Sequence, residues 1–184
     1  MTYFYDENLE NGKIQVLESN VDTVTRLNDI DFREKKYYYN QSVPEIGPDG
    51  FNFHIHYPPN FDESKSYPLL VWVYGGPGTA WVTDEFKNEW ANEYLSSNHD
   101  VIVASLDSYG TPGRGTDFLY KVYKKLGYYE PLDQIAFARH LSDTYDFVDG
   151  SRMAVWGRSY GGFVTSRIMA EDYENVYRVV WKKW

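Results

Sequence analysis

Residues 154–163 of the chain read AVWGRSYGGF. In this segment an apolar run leads into a serine flanked by glycines, and the residues that follow, 163–170, favour a helix. Gly157, Ser159 and Gly161 match the G-x-S-x-G pattern of a nucleophile elbow, a sharp turn between strand and helix that lifts the serine hydroxyl above an α/β sheet. A side chain at either glycine would collide with neighbouring elements. The segment therefore predicts an α/β fold with Ser159 as an exposed nucleophile.

The same pattern has a simpler explanation. A glycine-rich turn can pack closely and carry an incidental serine, or it can bind a phosphate at a helix N-terminus. The apolar strand before Ser159 and the helix after it favour the nucleophile.

The segments around the elbow predict a mostly parallel sheet with flanking helices. Unbroken apolar runs of this length are typical of parallel strands buried on both faces, and they occur at residues 69–74, 101–106 and 152–156. Helical patterns are found at residues 84–97, 117–126 and 131–144. Alternation of strands with helices indicates βαβ units.

The N-terminal third of the chain has a different pattern. Residues 1–20 predict a small β-hairpin, and residues 37–39 predict a strand. Residues 51–57 alternate apolar with polar side chains, which predicts a strand with one buried face. His54 and His56 share one face of that strand and are expected to be solvated or paired within a hairpin.

Composition excludes several classes of protein. The formal net charge of −9, with no basic stripe to offset it, argues against a nucleic-acid partner. No apolar run is long enough to span a bilayer, and the N-terminus lacks the basic and apolar regions of a signal peptide. The absence of cysteine excludes disulfides and cysteine-ligated zinc. No metal and no cofactor are expected.

A serine nucleophile needs a base to take its proton and a carboxylate to orient that base. In α/β-hydrolases these partners follow the serine along the chain, first the acid and then the histidine. All four histidines of this chain precede Ser159, and the acidic residues between 171 and 174 lie too close to the helix to reach back over the sheet. The catalytic Asp and His are therefore expected to be missing from these 184 residues.

Several motifs in order give the chain a resemblance to the prolyl oligopeptidase family, in its dipeptidyl peptidase IV and fibroblast activation protein branch. The similar segments are PPNFDESKSYPLL at 58–70, VYGGP at 73–77, VIVASLD at 101–107, DQ at 133–134 and WGRSYGG at 156–162. Residues 15–20 are similar to the end of that branch's β-propeller. The resemblance implies that residues 1–50 are the end of a propeller and a connector. It implies that residues 51–184 are the N-terminal part of an α/β-hydrolase peptidase domain, truncated after the elbow.

The resemblance also implies roles for individual residues. Ser159 is similar to the nucleophile, and Tyr74 to the tyrosine whose hydroxyl helps to form the oxyanion hole. The backbone N–H of Tyr160 corresponds to the second oxyanion donor, and its ring to a wall of the pocket for proline or another small residue. Two such donors would stabilise the tetrahedral intermediate. The alternative for Tyr74 is a packed aromatic side chain with a satisfied hydroxyl.

The implied function is that of a serine-type dipeptidyl peptidase, which removes short N-terminal peptides through an acyl-enzyme. The chain alone is expected to be inactive, since the catalytic Asp and His would lie beyond Trp184 and the glutamates that hold a substrate's N-terminus would lie before Met1. Two other functions stay open, a non-catalytic interaction protein and an esterase or lipase that shares only the elbow. Residues 179–184 are expected to depart from the family pattern, and the Trp156 strand is expected to be an exposed sheet edge.

The resemblance carries expectations about partners and location. The partner is a peptide substrate, and full-length members of the family can form homodimers. Such members are often anchored on the cell surface or secreted, so an extracellular location is favoured. Asn40, Gln41 and Ser42 form a glycosylation sequon that would be used only if the chain is exported.

Overall fold

A computed structural model describes residues 2–5, 13–27, 35–83 and 90–183, which divide into two compact units, Met1–Phe32 and Arg33–Trp184. In the first unit, β1 (Thr2–Tyr5) and β2 (Lys13–Glu18) form an antiparallel pair. Helix α1 (Val21–Leu27) follows them. The hairpin predicted for residues 1–20 is confirmed, and the turn expected between its strands lies outside the described residues.

The second unit is built on a six-stranded sheet with the order β3-β4-β6-β5-β7-β8. Its strands are β3 (Lys35–Val43), β4 (Gly47–His56), β5 (Tyr67–Val73), β6 (Ile102–Asp107), β7 (Val148–Arg158) and β8 (Val179–Lys183). The four strands β6, β5, β7 and β8 run parallel, whereas β3 and β4 pair antiparallel at one side. This confirms an α/β fold with a mostly parallel sheet.

In the part of this unit that the structure describes, four helices accompany the sheet: α2 (Trp90–His99), α3 (Thr116–Tyr120), α4 (Tyr129–Thr144) and α5 (Tyr160–Glu171). They confirm the predicted helical segments, except that residues 84–89 lie outside the described chain and the second helix is shorter than expected. No helix in the described ranges is long and apolar enough to cross a membrane.

The central strand β5 is buried on both faces, as its unbroken apolar run predicts. Leu69, Val71 and Val73 belong to the main core cluster, to which α4 and α5 contribute side chains. Leu70 and Trp72 point to the opposite face and pack in a second cluster with Trp156. Two-sided burial makes β5 and its neighbours a rigid base for whatever lies at their ends.

The large sheet includes residues before position 50. Strand β3 pairs with β4 along most of its length, and both belong to the compact unit Arg33–Trp184. That residues 1–50 come from a propeller stays a prediction.

One expectation about the histidines was only partly right, and one about the Trp156 strand was wrong. His54 and His56 are paired within the β3–β4 hairpin, opposite Tyr37 and Lys35, as one of the two alternatives predicted. They are not solvated, since each is only 2% exposed. The strand that contains Trp156 is not a sheet edge, since β8 pairs with it in parallel and Trp156 lies opposite Trp181.

Candidate active site

The carboxyl ends of the parallel strands meet at one edge of the sheet, which is where α/β folds place their ligands. Strand β5 ends at Val73 and β7 ends at Arg158. Val73 and Gly157 are directly paired partners in the two neighbouring strands. Tyr74 and Ser159, which follow these two strands, therefore lie at the same edge.

Ser159 occupies the turn between β7 and α5. Its backbone has φ 58° and ψ −122°, a conformation that costs a residue with a side chain about 1–3 kcal/mol. The residue is exposed, and its side chain makes no capping hydrogen bond to α5. The hydroxyl is therefore presented above the sheet, as the elbow pattern predicts.

The glycines on either side of Ser159 are required by close backbone contacts. A Cβ on Gly157 would lie 2.3 Å from the Gly161 carbonyl oxygen. A Cβ on Gly161 would lie 2.0 Å from the Val73 carbonyl oxygen and 3.1 Å from the Tyr74 Cα. The elbow thus rests directly on the backbone at the end of β5, which brings Ser159 and Tyr74 into neighbouring positions.

Tyr74 is held by a contact that the sequence did not reveal. Its ring stacks on the Trp81 ring at a centroid distance of 5.5 Å and an interplanar angle of 19°. The Asp107 carboxylate, buried at the end of β6, accepts hydrogen bonds from the backbone N–H of Trp81 at 2.7 Å and of Val82 at 3.1 Å. Asp107 therefore fixes the segment on which the Tyr74 ring lies.

Tyr160 begins α5, and its side chain turns towards a buried carboxylate. Its hydroxyl donates to Glu130 Oε1 at 2.6 Å, and its ring meets Phe163 edge-on at 5.3 Å. Burial, and next the neighbouring Glu130 carboxylate, raise the pKa of the Tyr160 hydroxyl well above its ordinary value. The phenol therefore keeps its proton and acts as the donor in this pair.

None of the four histidines lies beside Ser159, and all four belong to the described residues. His54 and His56 are on β4, which is separated from β7 by β6 and β5, a distance of roughly 14 Å at about 4.8 Å per strand. His99 ends α2 just before β6 and so lies at the opposite edge of the sheet. His140 is on α4, where its Nδ1 lies 3.3 Å from Glu45 Oε2.

The acidic residues after Ser159 are engaged elsewhere. Glu171 pairs with Arg167 at 2.5 Å, and Glu174 pairs with Arg139 at 2.5 Å. The Asp172 carboxylate accepts hydrogen bonds from two backbone N–H groups in the loop that follows α5. The described residues thus bring Ser159, Tyr74 and Tyr160 together without a base or its acid.

Sequence reasoning missed the roles of Glu130, Trp81 and Asp107. An acidic residue in the first turn of a helix ordinarily faces solvent and complements the helix dipole, so its sequence position gives no sign that Glu130 is fully buried. In the sequence, Asp107 is recognisable only as a polar residue at the end of an apolar strand.

The chain is similar in sequence to known peptidases. The sequence model of the prolyl oligopeptidase family matches residues 86–183, more than half of the chain. Venom dipeptidyl peptidase 4 of Vespa velutina is 43% identical over 121 residues, which are 66% of this chain and 16% of the relative. Prolyl endopeptidase FAP of Mus musculus is 38% identical over 160 residues, which are 86% of this chain and 20% of the relative. The chain therefore spans only a small part of the curated relatives it matches.

Solved structures show the same fold. The crystal structure of Porphyromonas gingivalis dipeptidyl peptidase 4 aligns with a TM-score of 0.80 at 30% identity, over 91% of this chain and 23% of that one. Pyrococcus horikoshii acylaminoacyl peptidase aligns with a TM-score of 0.73 at 15% identity, over 94% of this chain and 26% of that one, which bears on the fold alone. The family match includes residues 179–183, so the expectation that this segment departs from the family pattern was wrong.

Proposed function

Because the chain belongs to the prolyl oligopeptidase family, we propose that Ser159 is the nucleophile of a serine-type peptidase and forms an acyl-enzyme. One observation carries this proposal: Ser159 is exposed at φ 58° between two glycines that have no room for a side chain. Glycine would adopt this backbone conformation without strain. A serine in its place is understandable if the hydroxyl itself is needed.

The proposed chemistry uses three groups at the carboxyl edge of the sheet. The Ser159 Oγ attacks the carbonyl carbon of a peptide bond, so that a C–O bond forms, the π pair moves to the carbonyl oxygen and the hydroxyl proton passes to a base. The Tyr74 hydroxyl and the Tyr160 backbone N–H donate to the resulting oxyanion. The C–N bond then breaks, the amine takes the proton, and water hydrolyses the acyl-enzyme.

The proposed substrate is a short peptide cleaved near its N-terminus, with proline or another small residue before the scissile bond. Two observations support it. Relatives bear the names dipeptidyl peptidase 4 and prolyl endopeptidase. The Tyr160 ring, partly exposed next to Ser159, can form one wall of a small pocket.

By themselves, the 184 residues are proposed to have negligible peptidase activity. Each of the four histidines is held on an element away from Ser159. In subtilisin, loss of the catalytic histidine alone lowers kcat by about 2 × 10⁶-fold. Activity therefore needs an Asp and a His from outside these residues.

A fluorophosphonate probe tests the nucleophile, because it phosphonylates an activated serine: the Oγ–P bond forms and fluoride leaves. The expected result is negligible labelling in plain buffer and clear labelling of Ser159, located by mass spectrometry, when free imidazole is added as the missing base. The Ser159→Ala variant should remain unlabelled in both. Strong labelling without imidazole would contradict the proposed inactivity, and absence of labelling with imidazole would contradict the nucleophile.

Peptide phosphonate probes test the substrate class under the same conditions. A probe with proline at the reacting position should label Ser159 faster than the same probe with leucine. Equal rates would contradict the proposed preference for proline.

A non-catalytic interaction protein is the second candidate, and the distance of every histidine from Ser159 favours it. This candidate would be supported by a specific protein partner that binds the parent chain and the Ser159→Ala variant with the same affinity. Failure of imidazole to promote labelling would be expected in that case.

A further inference from the structure

One carboxylate behind the elbow is completely buried. Glu130, in the first turn of α4, is 0% exposed. Its Oε1 accepts the hydrogen bond from the Tyr160 hydroxyl, and its Oε2 accepts one from the Gly127 backbone N–H at 3.0 Å. A buried carboxylate is unfavourable unless hydrogen bonds compensate for lost hydration. Each oxygen of Glu130 has such a donor, and each donor belongs to a different element.

On one side, Glu130 restrains the start of the elbow helix. Tyr160 directly follows Ser159, whose carbonyl oxygen accepts a hydrogen bond from the Phe163 N–H at 3.1 Å. With its hydroxyl held by Glu130 and its ring against Phe163, Tyr160 has little freedom to rotate. The direction of its backbone N–H is restrained as well, since the same residue carries both groups.

On the other side, Glu130 holds the loop at residues 124–128, which precedes α4 and contacts α5. Gly127 has φ +74°, and the Phe163 ring lies 2.5 Å from the position of a Cβ on it. The Gly127 carbonyl oxygen accepts a hydrogen bond from Arg167 Nε at 3.2 Å. This loop, with Phe163 and Arg167 of α5, lines an open cavity of about 530 Å³. Glu130 thus connects the cavity wall with the residue next to the nucleophile.

We propose that Glu130 is a positioning residue for acyl transfer at Ser159, and that its carboxylate holds Tyr160 and Gly127 in a fixed relation while the oxyanion forms. The inference rests on the proposed function, since it needs Ser159 as nucleophile and the Tyr160 N–H as donor. Glu130 acts through Tyr160 and does not itself touch the substrate. The raised pKa of the Tyr160 hydroxyl agrees with this arrangement, because the phenol stays protonated and keeps donating.

Two variants of the full 184-residue chain separate positioning from simple stabilisation. Glu130→Gln leaves one of the two donors facing an amide NH₂, and Tyr160→Phe removes only the hydroxyl, so it leaves the packing of the ring intact. Asp133→Asn is the matched control: Asp133 is also buried on α4, one turn from Glu130, and its charge interacts with that of Glu130. Its hydrogen-bonding neighbours are Tyr109 and Ser108, so the variant changes the charge beside Glu130 without removing a contact to Tyr160. Near-ultraviolet circular dichroism verifies that each variant is folded.

The measurement is the rate of Ser159 acylation by p-nitrophenyl acetate with free imidazole as base. In this reaction the Oγ–acyl bond forms, p-nitrophenolate leaves and the proton passes to imidazole. We expect Glu130→Gln and Tyr160→Phe each to lower the rate by about 10- to 100-fold, since a small misplacement of a reacting group has effects of this size. The double variant should be no slower than the slower single variant, because both substitutions act through the position of Tyr160. Asp133→Asn should react like the parent.

Hydrogen exchange at the Gly127 and Phe163 amides gives a second readout that does not depend on chemistry at Ser159. Both amides should exchange faster in Glu130→Gln. Unchanged acylation in folded Glu130→Gln, with or without faster exchange, would overturn the positioning role alone. A parent chain that is not acylated at Ser159 even with imidazole would overturn the proposed function and this inference with it.

Discussion

Gly161 approaches Gly157 so closely across the Ser159 turn that Gly157 cannot carry a side chain. The Gly161 carbonyl oxygen lies 2.3 Å from the position of a Cβ on Gly157, and its carbonyl carbon lies 2.4 Å from it. Both are backbone atoms and cannot move without displacing the first turn of α5. The elbow is therefore a consequence of backbone packing as much as of the residue at its tip.

Replacing Gly157 with alanine should destabilise the fold. We expect Gly157→Ala to lower the free energy of unfolding by about 3 kcal/mol, because the added methyl group overlaps backbone atoms of the elbow. Gly150 lies in the same strand, and a Cβ there would meet only Ser142 at an ordinary 3.5 Å. Gly150→Ala should therefore change the stability by no more than about 0.5 kcal/mol. Urea denaturation measures both, and equal effects would contradict the packing argument.

Replacing Ser159 with glycine should stabilise the chain while abolishing labelling. The φ of 58° is strained for serine and free for glycine, and the relief outweighs the entropy cost of glycine by about 1 kcal/mol. Ser159→Ala keeps the Cβ and should be no more stable than the parent. The difference in stability between Ser159→Gly and Ser159→Ala therefore isolates the backbone strain. A Ser159→Gly chain no more stable than Ser159→Ala would show that the turn is not strained.

Replacing Asp107 with asparagine should loosen the support of Tyr74. The side-chain amide has one acceptor oxygen, whereas Trp81 N–H and Val82 N–H each use one oxygen of the carboxylate. Leaving one buried N–H without an acceptor costs about 1–3 kcal/mol of unfolding free energy. Asp146→Asn, at an exposed position, should be neutral. Thermal unfolding measures both variants, and a neutral Asp107→Asn would contradict the anchoring role of Asp107.

Asp133 should make the stability of the chain depend on pH. Burial is the main cause that raises its pKa from 3.8 to about 8. The folded state therefore binds the proton more tightly than the unfolded state, so the contribution of Asp133 to stability is present below pH 4 and is lost as the pH rises towards 8. The slope cannot exceed about 1.4 kcal/mol per pH unit for one group.

The Asp133→Asn variant isolates this effect, because it cannot ionise. Its stability relative to the parent should rise between pH 5 and pH 8, as followed by urea denaturation at several pH values. Asp149 provides the control: hydrogen bonds from Ser151, then from Arg152, lower its pKa to about 2, so Asp149→Asn should show no such trend in this range. If the difference in unfolding free energy between Asp133→Asn and the parent did not change with pH, Asp133 would not be the source of the pH dependence.

Much of the fold could be predicted from local patterns. The apolar runs at 69–74, 101–106 and 152–156 became β5, β6 and the end of β7, because a strand buried on both faces needs apolar side chains on both. Residues 179–183 could not be predicted as a strand of this sheet from the sequence, since their pairing with β7 depends on how α5 positions the chain that follows it. The same limit applies to His54 and His56, whose burial follows from the neighbours of β4.

By itself, the sequence determined the elbow, because a serine flanked by glycines between an apolar strand and a helix favours this turn locally. The lack of space at Gly161 is a tertiary contact, since it comes from the Val73 carbonyl oxygen of β5. The tertiary structure decided what surrounds the elbow: that Glu130 is buried between Tyr160 and Gly127, that Asp107 holds the segment under Tyr74, and that no histidine reaches Ser159. The physical reason is range. Backbone geometry depends on a residue and its immediate neighbours, whereas the burial and partners of a polar side chain depend on residues that are distant in the sequence and are brought close only when the sheet and its helices have packed.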